Sequence, residues 1–182
     1  LDSASSDAAY QLIEAMARLN EVYPDVQTVI IGDGSEFESV IARADEVNRS
    51  LGRRAVVMTG ARSDVAKLLP CADAFVGVSR AALEAMSCRI PTVLAGAQGF
   101  LGIFDDSEVM LRRAQSTNFC CRGEGASSAD AICGALISLF SLGGERLSAI
   151  GENGRRVVEK YYSVSRMAGD AEEMYRSALA LR

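Results

Sequence analysis

The sequence of 182 residues predicts a single α/β domain, a doubly wound parallel sheet of the Rossmann-like type. Short apolar runs, which are typical of parallel strands buried on both faces, recur along the chain. Longer segments with the apolar spacing of helices separate these runs. This strict alternation is the pattern expected of strands joined by right-handed crossovers.

The elements can be placed in order from local signals. Leu12, Met16 and Leu19 recur on one face of the first helix, Gly52 ends the second helix and Pro70 ends the third. The predicted strands are residues 26–31, 55–59, 74–78 and 92–95, with a further short strand near 118–121. The predicted helices are residues 7–23, 36–51, 64–69, one beginning at 79, a short one after 105, and 129–142, 145–161 and 164–181. The last helix is expected to pack through an inner stripe formed by Met167, Ala171, Met174, Tyr175 and Ala178.

Composition excludes several classes of function. The formal net charge of −5 argues against nucleic acid as a partner, because no basic stripe is present to neutralise phosphates. No apolar run approaches the length of a membrane span, and no signal peptide is visible. Histidine is absent, which removes the usual general base near neutral pH and the common form of a hydrolase triad.

The five cysteines lack the spacing of a zinc site or of a disulfide framework. They are Cys71, Cys88, Cys120, Cys121 and Cys133. Buried free thiols in a reducing cytoplasm are the expected interpretation, so we expect a cytoplasmic location and no bound metal. A redox pair of Cys120 and Cys121 is disfavoured, because adjacent residues of a strand face opposite sides.

Residues 74–96 are the most informative segment, and they predict strand, tight turn, short helix, proline and strand. Ser79 is placed to cap the helix with its hydroxyl. A helix that begins at the carboxyl end of a parallel strand directs free amides and a partial positive charge at the crevice where α/β folds hold anions. Ser79 and Arg80 therefore predict a diphosphate site, and Glu84 predicts an acceptor for sugar hydroxyls. The alternative for Glu84 is an exposed helix carboxylate without function.

Two further loops are expected at the same edge of the sheet. Gly32-Asp-Gly34 follows a strand as a dinucleotide fingerprint would, but Phe37 stands where the third glycine is required. Two interpretations of Gly34 remain. It lies either in a tight turn without a binding role or in a turn whose backbone approaches a diphosphate or a donor sugar. Arg62 follows the next strand and predicts a contact to the ligand at this edge, its alternative being a surface arginine that caps the helix from Ser63.

Residues 96–102 carry three glycines and predict a loop whose backbone can approach a ligand closely. The amides of Gln98, Gly99 and Phe100 are expected to reach a donor sugar or a β-phosphate, the alternative being a surface connection. The acidic residues that follow are Asp105, Asp106 and Glu108. Capping of a helix start is favoured for them over acid–base catalysis or magnesium binding, because adjacent helix residues do not face one another.

Several of these segments together resemble one family. Leu-Glu-Ala-Met-Ser-Cys-Arg-Ile-Pro-Thr at residues 83–92 is similar to the Leu-Glu-Ala-Met-Ala-x-Gly-x-Pro-Val pattern of GT-B glycosyltransferases, most closely the group 1, family 4-like, enzymes. Val-Ile-Ile-Gly-Asp-Gly at 29–34, Val-Met-Thr-Gly at 57–60 and Gly-Arg-Arg-Val-Val-Glu-Lys-Tyr-Tyr-Ser at 154–163 also fit. The resemblance covers nearly the whole chain.

The resemblance implies the carboxyl-terminal, nucleotide-sugar-binding half of a GT-B fold, with extra helices at its carboxyl end. The implied ligand contacts are diphosphate at Ser79, Arg80 and Gly34, ribose at Glu84, base at Ala61 and Arg62, and donor sugar at Gln98, Gly99 and Phe100. The helix start and the arginines would stabilise the departing diphosphate without a metal ion. We expect this domain to bind a nucleotide-diphospho-sugar as substrate, to need no cofactor and, alone, to transfer nothing, since no catalytic residue is expected within it.

The same resemblance implies that residues 1–182 are part of a longer protein. Leu1-Asp2 is similar to the end of an Arg-Leu-Asp phrase that closes a strand before the first helix, so that strand is expected to be absent here. The acceptor is expected to bind to an amino-terminal domain outside these residues. Peripheral membrane association would occur through that same domain.

The chain departs from the group 1 pattern at one position. The pattern has two glutamates eight residues apart, but Val76 stands eight residues before Glu84. The shortened turn is closer to peptidoglycan-type GT-B transferases and to nucleotide-sugar 2-epimerases. An epimerase-like domain and a noncatalytic interaction module therefore remain alternatives, although the run at 154–163 favours a glycosyltransferase.

Overall fold

The computed structural model describes the backbone of residues 3–180 and the side chains of residues 6–180. The strands are β1 (Thr28–Ile30), β2 (Val56–Met58), β3 (Phe75–Gly77), β4 (Thr92–Gly96) and β5 (Gly99–Ile103). The helices are α1 (Ser3–Val22), α2 (Phe37–Leu51), α3 (Val65–Leu68) with a 3-10 turn (Leu69–Cys71), α4 (Ser79–Ser87), α5 (Glu108–Ser116), α6 (Ala129–Phe140), α7 (Gly144–Tyr161) and α8 (Val164–Ala180). Every element predicted before residue 96 is present in the predicted order. The expected end of a strand at Leu1-Asp2 and the predicted helix end at Leu181 lie outside the described residues.

The strands form two groups. β1 and β2 pair in parallel with Val29 opposite Val57, and β3 and β4 pair in parallel with Val76 opposite Val93. β5 adds to β4 in the antiparallel direction, so the second group has the order β3-β4-β5. Within the described residues, no backbone pairing joins β1 to β3.

Both strand groups contribute to one core layer. Ile30 from β1 and Val93 from β4 lie in the same buried cluster as Ile13 and Met16 of α1 and Leu136 of α6. On the other face of β4, a second cluster is formed by α4, α5, α7, β5 and the loop after α5, with the buried side chains Met86, Leu94, Phe104, Phe119 and Val157. The molecule therefore has helices on both sides of its strands, as the α/β prediction requires.

The expected glycine loop at residues 96–102 is wrong. These residues form the hairpin of β4 and β5, and only Ala97 and Gln98 lie in its turn. The glycines serve close packing instead: a Cβ on Gly99 would overlap the carbonyl oxygen of Cys121. Three glycines in seven residues indicated a loop because side-chain patterning is weak there, whereas strand pairing with β4 decides the outcome.

The region 105–125 also differs from the prediction. α5 is present, but no strand forms near residues 118–121, where Asn118, Phe119 and Cys121 all have positive φ angles. Successive left-handed residues turn the chain and cannot continue a strand.

The five cysteines are unpaired, and burial raises the pKa of Cys121 to about 11, so its thiol stays protonated at neutral pH.

The acidic residues before α5 have structural partners. Ser107 is the helix cap, its hydroxyl accepting from the Met110 amide, and Asp105 in turn accepts from the Ser107 amide. Asp106 pairs with Arg146 of α7 at 3.0 Å, and this hydrogen bond lowers the pKa of Asp106. The cluster thus holds the start of α5, although the cap is the serine and not a carboxylate.

The inner stripe predicted for α8 is wrong. Met167, Met174 and Tyr175 are 63%, 70% and 72% exposed, and no residue of α8 is buried. An amphipathic pattern marks the apolar face of a helix but does not specify what covers that face.

No helix among residues 3–180 has both the length and the apolar character needed to cross a membrane.

Two helix glycines provide a test of the packing. Alanine is favoured over glycine inside a helix by about 1 kcal/mol. At Gly134 of α6 the site of a Cβ is open, whereas at Gly151 of α7 a Cβ would overlap the Arg89 carbonyl oxygen. We expect Gly134→Ala to raise the free energy of unfolding by about 0.5–1 kcal/mol and Gly151→Ala to lower it. Urea denaturation of both variants measures the change in the free energy of unfolding. Equal changes in the two variants would contradict the close packing of Gly151 in α7 against the backbone of Arg89.

Candidate functional site

The turn from β3 into α4 is held in a constrained conformation. Ser79 has a φ of +57°, which is uncommon for a residue other than glycine. The predicted cap role of Ser79 is wrong, because Val78 occupies the cap position and no side chain caps the helix. The Ser79 amide donates instead to the carbonyl oxygen of Phe119 at 2.8 Å. The left-handed conformation of Ser79 thus produces the change of direction between β3 and α4.

This bend reduces the number of backbone amides that the predicted anion site can offer to a ligand. The Ser79 amide is engaged by Phe119, so it does not face a ligand. Amides in the first turn of a helix have no acceptor within that helix, and α4 offers those of Arg80 and Ala81. The start of α4 therefore provides two amides, the Ser79 hydroxyl and the positive end of the helix dipole to an anion.

Arg80 and Glu84 share one exposed stripe of α4. Their side chains are 91% and 55% exposed, and the Arg80 Nε atom lies 3.9 Å from a Glu84 carboxylate oxygen. The opposite side of the helix is buried through Ala82, Ala85 and Met86. Packing thus fixes the rotation of α4 and leaves the cation and the carboxylate available at the surface.

The loops after β1 and β2 meet at the carboxyl ends of those strands. The Gly32 amide donates to the Gly60 carbonyl at 3.0 Å. The ring of Phe37, at the start of α2, lies over Gly60 at 3.7 Å from where its Cβ would be. Gly34 is exposed in this turn, and its carbonyl accepts from the Phe37 amide. The structure therefore brings the turn of Gly34 beside the loop that carries Ala61.

Arg62 is already paired. Its guanidinium makes two hydrogen bonds to Asp64, at 2.8 and 2.7 Å, and this contact lowers the pKa of Asp64. The side chain keeps 41% of its surface exposed. Arg62 is therefore a surface arginine, as in the alternative, but it pairs with Asp64 at the cap position of the third helix and does not itself cap that helix. A base contact would involve the loop backbone around Ala61.

The hairpin turn of β4 and β5 lies next to the α4 corner. A Cβ on Gly96 would be 2.9 Å from the Val78 side chain, which shows how closely the turn approaches. The Phe100 amide donates to the Gly125 carbonyl at 2.7 Å, so the expected donation from this amide to a sugar is wrong. Gln98 is exposed at the tip, where its side-chain oxygen accepts from Arg122 at 3.1 Å.

Sequence reasoning missed the segment 117–125, which closes over this edge. The Phe119 carbonyl binds the Ser79 amide, the Cys121 carbonyl lies on Gly99, and Arg122 reaches the hairpin tip. Neither periodicity nor a known motif marks these residues. A run of left-handed residues depends on contacts with β5 and α4, which no local pattern reports.

No group of three acidic, histidine or cysteine side chains that could hold a metal ion occurs in the described part of the chain. The site therefore consists of a helix start, exposed charges on α4 and three surrounding turns. Such an arrangement suits an anionic ligand that also carries hydroxyl groups.

A family model for glycosyl transferases group 1 matches residues 8–157. No curated protein matches the chain. Among solved structures, the chain is similar to a glycosyltransferase from Rickettsia africae, with a TM-score of 0.69, 19% identity, and coverage of 94% of this chain and 44% of that one. It is also similar to Anabaena HepE in complex with UDP, with a TM-score of 0.60, 21% identity, and coverage of 92% and 44%.

A third similar structure is S. aureus TarM, a mutant in complex with Fondaparinux, alpha-GlcNAc-glycerol and UDP, with a TM-score of 0.64, 17% identity, and coverage of 91% and 32%. The chain thus spans less than half the length of the solved structures that it matches. These likenesses confirm the Rossmann-like half of a GT-B fold. The family match extends through the β3–α4 corner to the end of the buried core in α7, and the chain belongs to the group 1 glycosyl transferases.

Proposed function

We propose that this chain is the donor-binding half of a glycosyltransferase that moves a sugar from a nucleotide-diphospho-sugar to an acceptor. The observation that carries the proposal is the corner of β3 and α4, where Ser79, Arg80 and Glu84 lie together on an open surface. This corner offers an anion site and a hydroxyl acceptor on the same short helix. A nucleotide-diphospho-sugar needs both.

The diphosphate binds at the start of α4. The amides of Arg80 and Ala81 and the Ser79 hydroxyl donate to its oxygens, and the Arg80 guanidinium approaches from solvent. During transfer the bond between the sugar and the diphosphate breaks, so negative charge increases on the departing group. Donors at a helix start stabilise that charge, and in this proposal they act without a metal ion.

Glu84 accepts hydrogen bonds from the ribose hydroxyls. Its carboxylate is mostly exposed and has a single charged neighbour, Arg80, at 3.9 Å within the described residues. When the diphosphate draws Arg80 toward the helix start, Glu84 is left free to accept from two adjacent hydroxyl groups. Ribose and diphosphate are neighbours in a nucleotide, which matches the spacing of the two side chains along α4.

The remaining turns surround the rest of the donor. In this proposal the loop of Ala61 and Arg62 contacts the base, and the backbone of Gly34 approaches the diphosphate. The hydrogen bond from Gly32 to Gly60, which holds these two loops side by side, supports the grouping. On the sugar side, the Gln98 side chain is the available group at the hairpin tip, with Arg122 beside it. Gly99 shapes this hairpin through its contact with Cys121, while the partly buried side chain of Phe100 packs against the core.

Uridine is the proposed base, because HepE and TarM have each been solved with UDP. The acceptor is proposed to bind to polypeptide outside these residues, and the reaction to occur in the cytoplasm. The match to the group 1 model favours sugar transfer over an epimerase-like or noncatalytic domain.

Calorimetric titration with UDP, GDP and ADP tests the site. We expect UDP to bind and Glu84→Ala to weaken binding about 10-fold, through the loss of charge-assisted hydrogen bonds to the ribose worth ~1.4 kcal/mol. Glu159→Ala is the matched control, because Arg155 and Glu159 form the same (i, i+4) pair on α7. Equal affinity in the Glu84 and Glu159 variants would remove the ribose assignment, and silence toward all three nucleotides would favour a noncatalytic module.

Substitution of Ser79 separates its structural role from its binding role. Glycine tolerates a φ of +57°, whereas a β-branched residue is strained there by about 1–2 kcal/mol. We therefore expect Ser79→Gly to preserve or raise the melting temperature and Ser79→Val to lower it, while both weaken UDP binding by loss of the hydroxyl. Arg89→Gly, also at a left-handed position but beyond the far end of α4, is the control and should leave UDP affinity unchanged. Full affinity in Ser79→Gly would show that the hydroxyl does not contact the diphosphate.

A further inference from the structure

Arg122 carries a positive charge to the edge of the proposed donor site. Its Nε atom donates to the side-chain oxygen of Gln98, at the tip of the β4–β5 hairpin, over 3.1 Å. Earlier in the same segment, the Phe119 carbonyl accepts from the Ser79 amide at the start of α4. The segment that carries Arg122 is therefore attached both to the hairpin tip and to the corner proposed to hold the diphosphate.

Buried contacts fix the loop on which Arg122 lies. Before it, Cys121 is fully buried, and its carbonyl oxygen lies where a Cβ on Gly99 would be. After it, the Gly125 carbonyl accepts from the Phe100 amide at 2.7 Å. Both ends of the loop are thus attached to β5, while Arg122 itself is exposed. The guanidinium is consequently held near the hairpin tip.

Arg122 forms no ion pair with a carboxylate among residues 6–180. The acidic residue closest to it in sequence, Glu124, binds Arg113 of α5 instead, and this hydrogen bond lowers the pKa of the Glu124 carboxyl. The Glu124 side chain is only 18% exposed, so it is also poorly placed to accept from a ligand. Nε is the one Arg122 nitrogen with a hydrogen-bond partner in the described part of the chain, which leaves both terminal nitrogens available.

The side chains at the hairpin tip offer hydrogen-bond donors to a ligand. Arg122 has N–H groups and no acceptor. The Gln98 oxygen already accepts from Arg122, so the group that remains for a ligand is the Gln98 amide nitrogen with its two N–H donors. A sugar hydroxyl donates as well as accepts, whereas an ionised carboxylate only accepts. A surface made of donors and carrying a positive charge therefore matches a carboxylate better than a hydroxyl.

We propose that the sugar of the donor carries a carboxylate, as a uronic acid does, and that Arg122 and Gln98 bind it. The guanidinium supplies two parallel N–H groups to the carboxylate oxygens, and the Gln98 amide supplies a third. The carboxylate takes no part in breaking the bond between the sugar and the diphosphate. Its role is to select a uronic acid over the corresponding neutral sugar.

This inference rests on the proposed function, because it takes the diphosphate to lie at the start of α4. The sugar is bonded directly to the diphosphate and must lie beside that helix start. The hairpin meets this requirement, since a Cβ on Gly96 would lie 2.9 Å from the side chain of Val78, the residue before Ser79. An arginine at the hairpin tip can thus reach a group on the sugar.

The diphosphate is the second anion near Arg122. In the proposed site its oxygens already have the amides of Arg80 and Ala81, the Ser79 hydroxyl and the Arg80 side chain. Arg122 is bound to a side chain of the hairpin and not to α4. The two assignments differ in a measurable way: a contact to the diphosphate would strengthen the binding of every UDP compound, whereas a contact to the sugar carboxylate strengthens the binding of uronic acid donors alone.

Calorimetric titration with matched donors tests the assignment. UDP-glucuronate and UDP-galacturonate are compared with UDP-glucose and UDP-galactose, which differ from them only at carbon 6 of the sugar, and with UDP alone. We expect one of the two uronic acid donors to bind about 10-fold more tightly than its neutral counterpart, because hydrogen bonds between charged groups are stronger than neutral ones. Arg122→Gln should abolish this difference and leave the affinities for UDP and the neutral donors unchanged.

Two further variants complete the comparison. Arg122→Lys keeps the positive charge without the planar fork and should retain part of the preference. Arg156→Gln is the matched control, because Arg156 is also exposed but lies near Asp106, whose pKa it helps to lower, beyond the other end of β5. It should leave every affinity unchanged. Melting temperatures of all variants establish that each one is folded.

Each outcome decides for or against the assignment. A preference for a uronic acid donor that Arg122→Gln removes and Arg156→Gln does not supports it. Binding of UDP, with equal affinity for charged and neutral donors, overturns it and retains the proposed donor site. Equal weakening of all five compounds in Arg122→Gln would assign the residue to the diphosphate and also overturn it. Silence toward all five compounds rejects the uridine donor site and, with it, this inference.

Discussion

The hydrogen bond from the Ser79 amide to the Phe119 carbonyl holds the corner on which the candidate site depends. β3 turns into α4 within one residue, and this requires Ser79 to adopt a left-handed conformation. The acceptor is itself fixed, because the Phe119 ring is fully buried between Phe104 and Tyr162, with ring centroids 5.7 and 5.6 Å away. An aromatic core distant in sequence therefore positions the first turn of α4. Strain at Ser79 is tolerated because this packing compensates for it.

The same corner determines which charges are available to a ligand. Burial of Ala82, Ala85 and Met86 sets the rotation of α4, so Arg80 and Glu84 face solvent at 91% and 55% exposure. Exposed pairs of this kind contribute little to stability, which means that a ligand can replace their mutual contact at small cost. Arg62 differs, because its two hydrogen bonds to Asp64 would have to be broken first.

The two strand groups meet without backbone pairing. Among residues 3–180, β1 pairs only with β2, and β3 pairs only with β4. Burial is also uneven, because Val29 of β1 is 51% exposed whereas all five residues of β4 are buried. The bare apolar face of α8, from Val164 to Leu179, is a separate uncovered surface at the other end of the chain.

The sequence alone determined the class of fold, the order of strands and helices up to β4, and the family. These conclusions depend on apolar runs, helical spacing and a motif around Glu84, all of which are local properties of the chain. Only the tertiary structure decided that residues 96–102 form a hairpin, that Ser79 bends rather than caps, and that α8 is exposed. The bend at Ser79 depends on Phe119, which is distant in sequence. The hairpin depends on pairing with β4 and on the bridge from Phe100 to Gly125, and the exposure of α8 reflects the absence of a covering surface within the described residues. Local propensity cannot report such contacts, because their free energy exists only once the chain has folded.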